Sequence, residues 1–332
     1  MSGPLLFEGR DLVVEYRRGG GLLRRPESFR ALDEVSFALA VGQSLAVVGE
    51  SGSGKSTLAR AALRLVVPTS GQVLLRGEDL AILSHDELRQ RRRDLQLVFQ
   101  DPLACLDPRM RIEEILAQPL RAFEPGLDRA ARRARAEAAL QAVGLEASML
   151  ARYPHQFSGG QAQRIGIARA LIADPAVLVC DEPVSALDVS IRSQVLDLLA
   201  AERARRHLAL LFIAHDLAAV RFLCDRTLVL YRGQVMEQGP TAAIFASPRH
   251  PYTQLLFAAA LVADPRRARR RDRSAARSAG SINPRPIAVA PALPTSGCVF
   301  APRCPRADAL CGDVRPRPRV IEGVSVACHH PG

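Results

Sequence analysis

Leu45-Ala46-Val47-Val48-Gly49-Glu50-Ser51-Gly52-Ser53-Gly54-Lys55-Ser56-Thr57 decides the fold. A short apolar run breaks into a glycine-rich loop, and LARAALRLV follows it with helical spacing. Strand, loop and helix in that order are what G-x-x-x-x-G-K-[ST] needs in order to work. The glycines let backbone N–H groups turn inward around phosphate oxygens, at the positive end of the helix that follows. In this scheme Gly49 to Thr57 cradle a nucleotide, Lys55 reaches its β and γ phosphates, and the Ser56 hydroxyl holds Mg²⁺.

Outward from this loop, LQLVF at 95–99, AVLVC at 176–180, LALLFIA at 208–214 and TLVLY at 227–231 are short apolar runs bounded by charge or proline. They read as buried parallel strands. Helical stretches at 190–206 and 216–223 lie between them, which gives an α/β alternation. Residues 113–173 contain no strand-like run and are rich in Ala, Arg, Glu and Leu from 127 to 145, so a helical subdomain is expected there. Alternation up to about Leu39 predicts an antiparallel β portion, interrupted by a Gly/Arg-rich loop at 17–26. Asp181 ends one apolar run and Glu182 follows it. The strand-end aspartate completes the Mg²⁺ shell in the phosphate-loop scheme, and Glu182 is placed to polarise an attacking water. Two acids merely capping a strand is the bland alternative.

The chain has 332 residues, 48% hydrophobic and 24% charged, values that exclude wholesale disorder and disulfide-dense or collagen-like classes. Its longest uncharged stretch, 286–302, is 17 residues long and carries four prolines, too short and too broken for a membrane span. The start MSGPLLFEGRDL lacks a basic region before an apolar run, so a cytoplasmic location is expected and any membrane role is peripheral. The net charge is +11, of which eight arginines against Asp272 between 266 and 285 supply +7. That run reads as a solvated linker, with a membrane or nucleic-acid contact as the alternative. Trp is absent and aromatics make up 5%, a poor supply for a base-stacking surface.

Composition divides the chain into 1–262, an Arg/Pro-rich linker at 263–296, and a Cys-rich end at 297–332. Cys298, Cys304, Cys311 and Cys328, with His329 and His330 adjacent, place four of seven cysteines in the last segment. Reduced thiols at this density favour a metal or a cluster over disulfides. The spacing lacks the C-x2-C pairs of zinc ribbons, and four thiolates suit a [4Fe-4S] cluster; either histidine could replace a ligand. Cys105, Cys180 and Cys224 read as packing thiols, and His85, His155 and His207 support no functional role.

Phe157-Ser158-Gly159-Gly160-Gln161, upstream of the acidic strand, makes the set resemble the ATP-binding cassette family over residues 5–262. The resemblance implies that Ser158, Gly159, Gly160 and Gln161 form the signature loop, which contacts the γ-phosphate held by an opposite protomer. It further implies that Tyr16 stacks on adenine and that Gln100 is the lid glutamine at Mg²⁺. Ser185-Ala186-Leu187-Asp188 then crosses the dimer interface, and His215 is the switch histidine. Lys55, Gln100, Glu182 and His215 would thus be the catalytic set.

GCVFAPRCPRADALC at 297–311 and HPYTQLL at 250–256 resemble the C-terminal extension of dipeptide and oligopeptide importer ATPases, which implies an iron-sulfur cluster, with zinc less favoured. VFQDPLACLDPRM, YPHQFSGGQAQRIGIARAL and CDEPVSALDVS look like the second of the two ATPase subunits in such importers. Phe157 stands where Leu is commonest, and Cys105, Asp107 and Ala162 where Ser, Asn and a basic residue are expected, which weakens assignment of the solute. The expected assembly is a heterodimer with another ATPase and two membrane permeases, served by a solute-binding protein, with residues 100–111 docking a permease helix. The alternatives are a soluble cassette ATPase acting on nucleic acid or ribosomes, an exporter, and a nickel or other small-solute importer. A single glycine loop, the lack of sustained heptads and the absence of a fused span disfavour the first two.

Overall fold

Strand β3 (Ser44–Val48) is buried along its whole length between two parallel neighbours, β8 (Ala209–Ile213) and β9 (Arg226–Tyr231). The computed structural model describes residues 4–18, 27–185, 187–262 and 296–332. The arginine run at 266–285, most of the loop expected at 17–26, and Ala186 lie outside the described residues. Beyond β8 the parallel sheet continues through β7 (Val177–Asp181) to β6 (Leu95–Val98). On the other side of β9 it turns antiparallel, through β10 (Gln234–Pro240), β12 (Val324–Val326) and β11 (Arg319–Ile321), for eight strands in all.

Both faces of its parallel part are covered, so those strands are largely apolar instead of alternating. Leu45, Val47, Leu211, Ile213, Val177 and Val179 point into one core. Ala46, Val48, Leu210, Phe212, Leu178 and Cys180 point into the other. The first core is closed by helix α1 (Lys55–Ala62) and by a separate antiparallel sheet of β1 (Leu5–Arg18), β2 (Glu27–Ala40), β4 (Ser70–Leu75) and β5 (Glu78–Asp79). Phe7 and Phe37 meet edge to face there, 5.4 Å apart. The sequence reading anticipated β1 and β2 but not β4 and β5, whose exposed start SGQ carries no apolar signal.

The second core lies under the segment inserted between β6 and β7. There α3 (Ile112–Phe123), α4 (Arg129–Ala142) and α5 (Gly159–Leu171) follow one another, with two 3-10 turns at Ala147–Ala151 and Pro154–Gln156, whereas α2 (His85–Arg91) precedes β6. The expected helical region is therefore present, with no strand among residues 112–171. Ile112, Ile115, Leu116 and Leu120 of α3 recur at helical spacing and are all buried. Asp128 caps α4 by accepting from the Ala131 N–H at 2.7 Å. Helices α6 (Val189–Arg206) and α7 (Leu217–Leu223) complete the alternation, and α8 (Thr241–Ala246) and α9 (Pro251–Val262) follow β10.

The Cys-rich end is built into this body. Cys298, Val299, Phe300 and Cys311 join the second core, and β12 pairs with β10 through Glu237–Val326 and Gln238–Ser325. No helix among the described residues is long and apolar enough to cross a membrane.

Parallel strands deliver their C-terminal ends to one edge of the sheet, where α/β proteins place ligands. Val48, Val98, Asp181 and Ile213 end there, one or two residues before the glycine loop, Gln100, Glu182 and His215 respectively. Phe212, fully buried in β8, holds that edge from below. Phe212→Ala is expected to cost about 3–5 kcal/mol, read as a lowered urea midpoint with an unchanged slope in denaturation followed by circular dichroism.

Candidate active site

The loop between β3 and α1 is shaped by close approaches that only glycine permits. A Cβ on Gly49 would lie 2.1 Å from the Leu230 carbonyl oxygen, and one on Gly54, at φ 107°, would lie 2.5 Å from the Ala31 carbonyl. The Ser53 N–H closes the turn onto the Glu50 carbonyl at 3.1 Å. Lys55 is 5% exposed and donates to the carbonyls of Gly49 and Glu50, both at 2.9 Å. Burial lowers its pKa, offset in part by Glu182, Asp181 and Glu50. The buried Ser53 hydroxyl has no partner. An ammonium held only by carbonyl dipoles, an orphaned hydroxyl and a helix N-terminus together fit a phosphate anion.

Ser56 Oγ donates to Asp181 Oδ1 at 3.1 Å, which joins the end of the loop to the end of β7. These are the hard oxygen ligands that Mg²⁺ favours. Glu182 has left-handed backbone geometry, at φ 51°, and its N–H donates to the Ile213 carbonyl at 3.0 Å. That fixes its carboxylate 2.5 Å from His215 Nε2. A non-glycine residue held at positive φ is an uncommon backbone state of the kind found at active sites.

These groups surround a cavity of about 550 Å³ lined by Tyr16, Phe29, Ala31, Ser51, Gly52, Gly54, Lys55, Ser56, Thr57, Gln100, Glu182 and His215. Tyr16 and Gln100 are exposed on its walls. The structure thus brings Tyr16, the loop, Gln100, Glu182 and His215 together, with Asp181 behind Ser56. Ser158, Gly159, Gly160, Gln161 and Asp188 do not line this cavity. Ser158 instead caps α5, its Oγ accepting from the Gln161 N–H at 3.3 Å while Gln161 Oε1 accepts from the Ser158 N–H at 3.1 Å. A Cβ on Gly160 would lie 2.4 Å from Ile191 Cγ2, so α5 packs hard against the helix that Asp188 begins.

A cavity of about 670 Å³ lies elsewhere, among Arg93, Arg135, Arg205 and Arg206. Its four arginines are all paired, with Glu124, Glu202 and Asp174, in a network that leaves one positive charge in surplus.

Two residues on the loop's far side escaped the sequence reading. Tyr252 is fully buried and its hydroxyl accepts from the Glu50 N–H at 2.9 Å. Arg303 meets the Glu50 carboxylate through both terminal nitrogens, at 2.7 and 2.9 Å. Neither has a local signal: Arg303 and Glu50 are 253 residues apart.

Cys298, Cys304, Cys311 and Cys328, all free, surround a second, small cavity together with His250, Phe300, His329 and His330. Burial raises the pKa of Cys298, Cys311 and Cys328, and the neighbouring thiols add to the effect. Donor atoms of Asp308, Cys311 and His330 lie within 4.8 Å of one another. The two histidines differ: His329 Nε2 donates to the Val314 carbonyl at 2.8 Å, whereas His330 Nε2 faces Asp308 at 2.9 Å. His250, buried, has its pKa lowered to about 4 by desolvation, and its Nδ1 accepts from the Tyr252 N–H. Cys180 and Cys224 are buried with raised pKa values, as inert packing thiols should be.

Residues 32–185 match the ABC transporter family, and residues 236–311 match the oligopeptide/dipeptide transporter C-terminal region. The oligopeptide transport ATP-binding protein OppF of Salmonella typhimurium is 48% identical over 96% of this chain and 93% of its own length. That of Escherichia coli is 46% identical over 98% and 96%. A dimeric ATP-binding cassette solved in a post-hydrolysis state with ADP and Pi is 29% identical, covering 71% of this chain and 99% of that one at a TM-score of 0.64. On this fold, phosphate loop and extended identity, the chain belongs to the ATP-binding ATPases of the ABC transporter family, in the branch that carries the oligopeptide/dipeptide C-terminal region.

Proposed function

We propose that this ATPase drives import of di- or oligopeptides, or of similar solutes, from the cytoplasmic face of the membrane, where it docks peripherally on two permeases fed by a solute-binding protein. What carries the reading is the coincidence of an ATP cleft with the oligopeptide/dipeptide C-terminal region in one chain that aligns with OppF relatives nearly end to end. Nothing in the cleft reads the solute, so a nickel or other small-solute importer is the runner-up. The soluble nucleic-acid alternative is not favoured.

In this reading 1–262 is the cassette, 263–296 a linker and 297–332 an extension. ATP lies in the cavity with Tyr16 against adenine and Gly49 to Thr57 around the phosphates. Mg²⁺ is held by Ser56, Asp181 and Gln100 and supplies neutralisation of phosphoryl charge. Lys55 balances the same oxygens from within the loop. Glu182 orients the attacking water as base, and His215, 2.5 Å from it, fixes the carboxylate and senses the γ-phosphate. Because Ser158 to Gln161 and Asp188 stay outside the chain's own cavity, they serve a partner's site: the capped N-terminus of α5 presents its donors to a γ-phosphate across the interface. The partner is a second ATPase subunit in a heterodimer, and the exposed surface near Phe99 and Leu103 receives a permease helix.

The four converging thiols fit a [4Fe-4S] cluster better than zinc. The raised pKa values of Cys298, Cys311 and Cys328 make those thiolates dependent on a positive centre to displace their protons. His330, beside Cys311, is the alternate ligand; His329 is engaged with backbone.

Glu182→Gln should retain ATP affinity, lower turnover at least about a hundredfold and accumulate ATP-bound dimers in light scattering; unchanged turnover removes Glu182 from its role. Lys55→Ala should weaken nucleotide binding at least about tenfold by fluorescence titration. Protein purified without oxygen should be brown and contain iron, both lost in Cys304→Ser/Cys311→Ser; a colourless, iron-free wild-type preparation overturns the cluster assignment.

A further inference from the structure

The Cys-rich extension touches the ATP site through one charge. Arg303 belongs to the 3-10 turn Ala301–Arg303, between Cys298 and Cys304, and the turn is tied down by Ala301, Arg303 and Cys304 N–H groups donating back to Cys298, Phe300 and Ala301 carbonyls. Its guanidinium lies over the rings of Tyr231 and Phe300, with centroids at 5.6 and 5.9 Å, so it arrives at Glu50 already aligned. The pair is two-pronged, the geometry in which guanidinium and carboxylate bind best. Glu50 in turn sits inside the phosphate loop: its carbonyl receives Lys55, its N–H is held by Tyr252, and its carboxylate is close enough to raise the Lys55 pKa. A bare carboxylate at that point would repel a polyphosphate.

We propose that Arg303 is a positioning residue for ATP binding: it neutralises and pins Glu50, so that the phosphate loop presents a net attractive field to the triphosphate. This rests on the loop's being the ATP site. The extension then acts on the nucleotide through a single ion pair, independently of what the thiols hold.

A double-mutant cycle on the full-length protein tests it, with a fluorescent ATP analogue as probe at about 50 and about 300 mM salt, and with ATPase KM and kcat measured in parallel. Arg303→Ala should weaken binding about three- to tenfold at low salt, less at high salt, with the change in KM rather than kcat. Arg303→Lys should recover most of the affinity. In a Glu50→Gln background, where no charge remains to neutralise, Arg303→Ala should cost less than about twofold. Equal loss in both backgrounds, or wild-type affinity in Arg303→Ala, overturns the proposal. If Arg303→Ala does not fold, Arg303→Gln in the two backgrounds reads the same coupling. A wild-type chain that binds the analogue no better than Lys55→Ala would sink the ATP assignment itself, and this inference with it.

Discussion

The ammonium of Lys55 is carried into the protein with two carbonyl oxygens as its hydrogen-bond acceptors among the described residues, and the site is organised around that buried charge. Burial costs the cation its hydration, which is why its pKa falls; the cost is recovered when an anion enters. Holding it there requires the loop to curl tightly, and the curl requires Gly49 to pass against β9 and Gly54 against Ala31 with no side chain between. Those approaches in turn need β3 fixed between β8 and β9, which the two apolar cores on either face of the sheet provide.

The two carboxylates at the end of β7 are held by different neighbours. Asp181 is tied to Ser56, a geometry suited to a metal shell, whereas Glu182, with its left-handed backbone, is held to His215. Neighbouring residues of one chemical type are thereby given different partners. Residues Ser158 to Gln161 are kept apart in another way. Ser158 is spent on capping α5 and Gly160 on packing against Ile191, and none of the four lines the chain's own cleft.

Most of the cleft was legible because its residues sit at strand ends, and buried parallel strands announce themselves as unbroken apolar runs. Val48, Asp181 and Ile213 mark their own positions, and Gln100 lies just beyond such a run. The helical insert was equally visible from composition. Strands β4, β10, β11 and β12 were not, since each is short or half-exposed and borrows its regularity from a neighbour: β12 exists by pairing with β10 across almost ninety residues. Tyr252 and Arg303 were hidden for a related reason, because their importance lies in contacts made across some 200 and 250 residues of chain, at which range sequence pattern carries no geometry. The four cysteines could be counted but not arranged; only the fold shows that they face one hollow and that, of the two histidines lining it, His329 is bonded to backbone and His330 faces Asp308.

The aromatic nest of Phe300 has a consequence in time. Its ring fills the gap among Tyr231, Tyr252 and His250, at centroid distances of 5.3, 5.4 and 5.8 Å. During synthesis those three leave the ribosome before Phe300 does, by a lag of several seconds at ordinary elongation rates of about 5–20 residues per second. Through that interval the ring that fills this hollow beside the nucleotide cleft has yet to be made, so the packing there closes only with the last tenth of the chain.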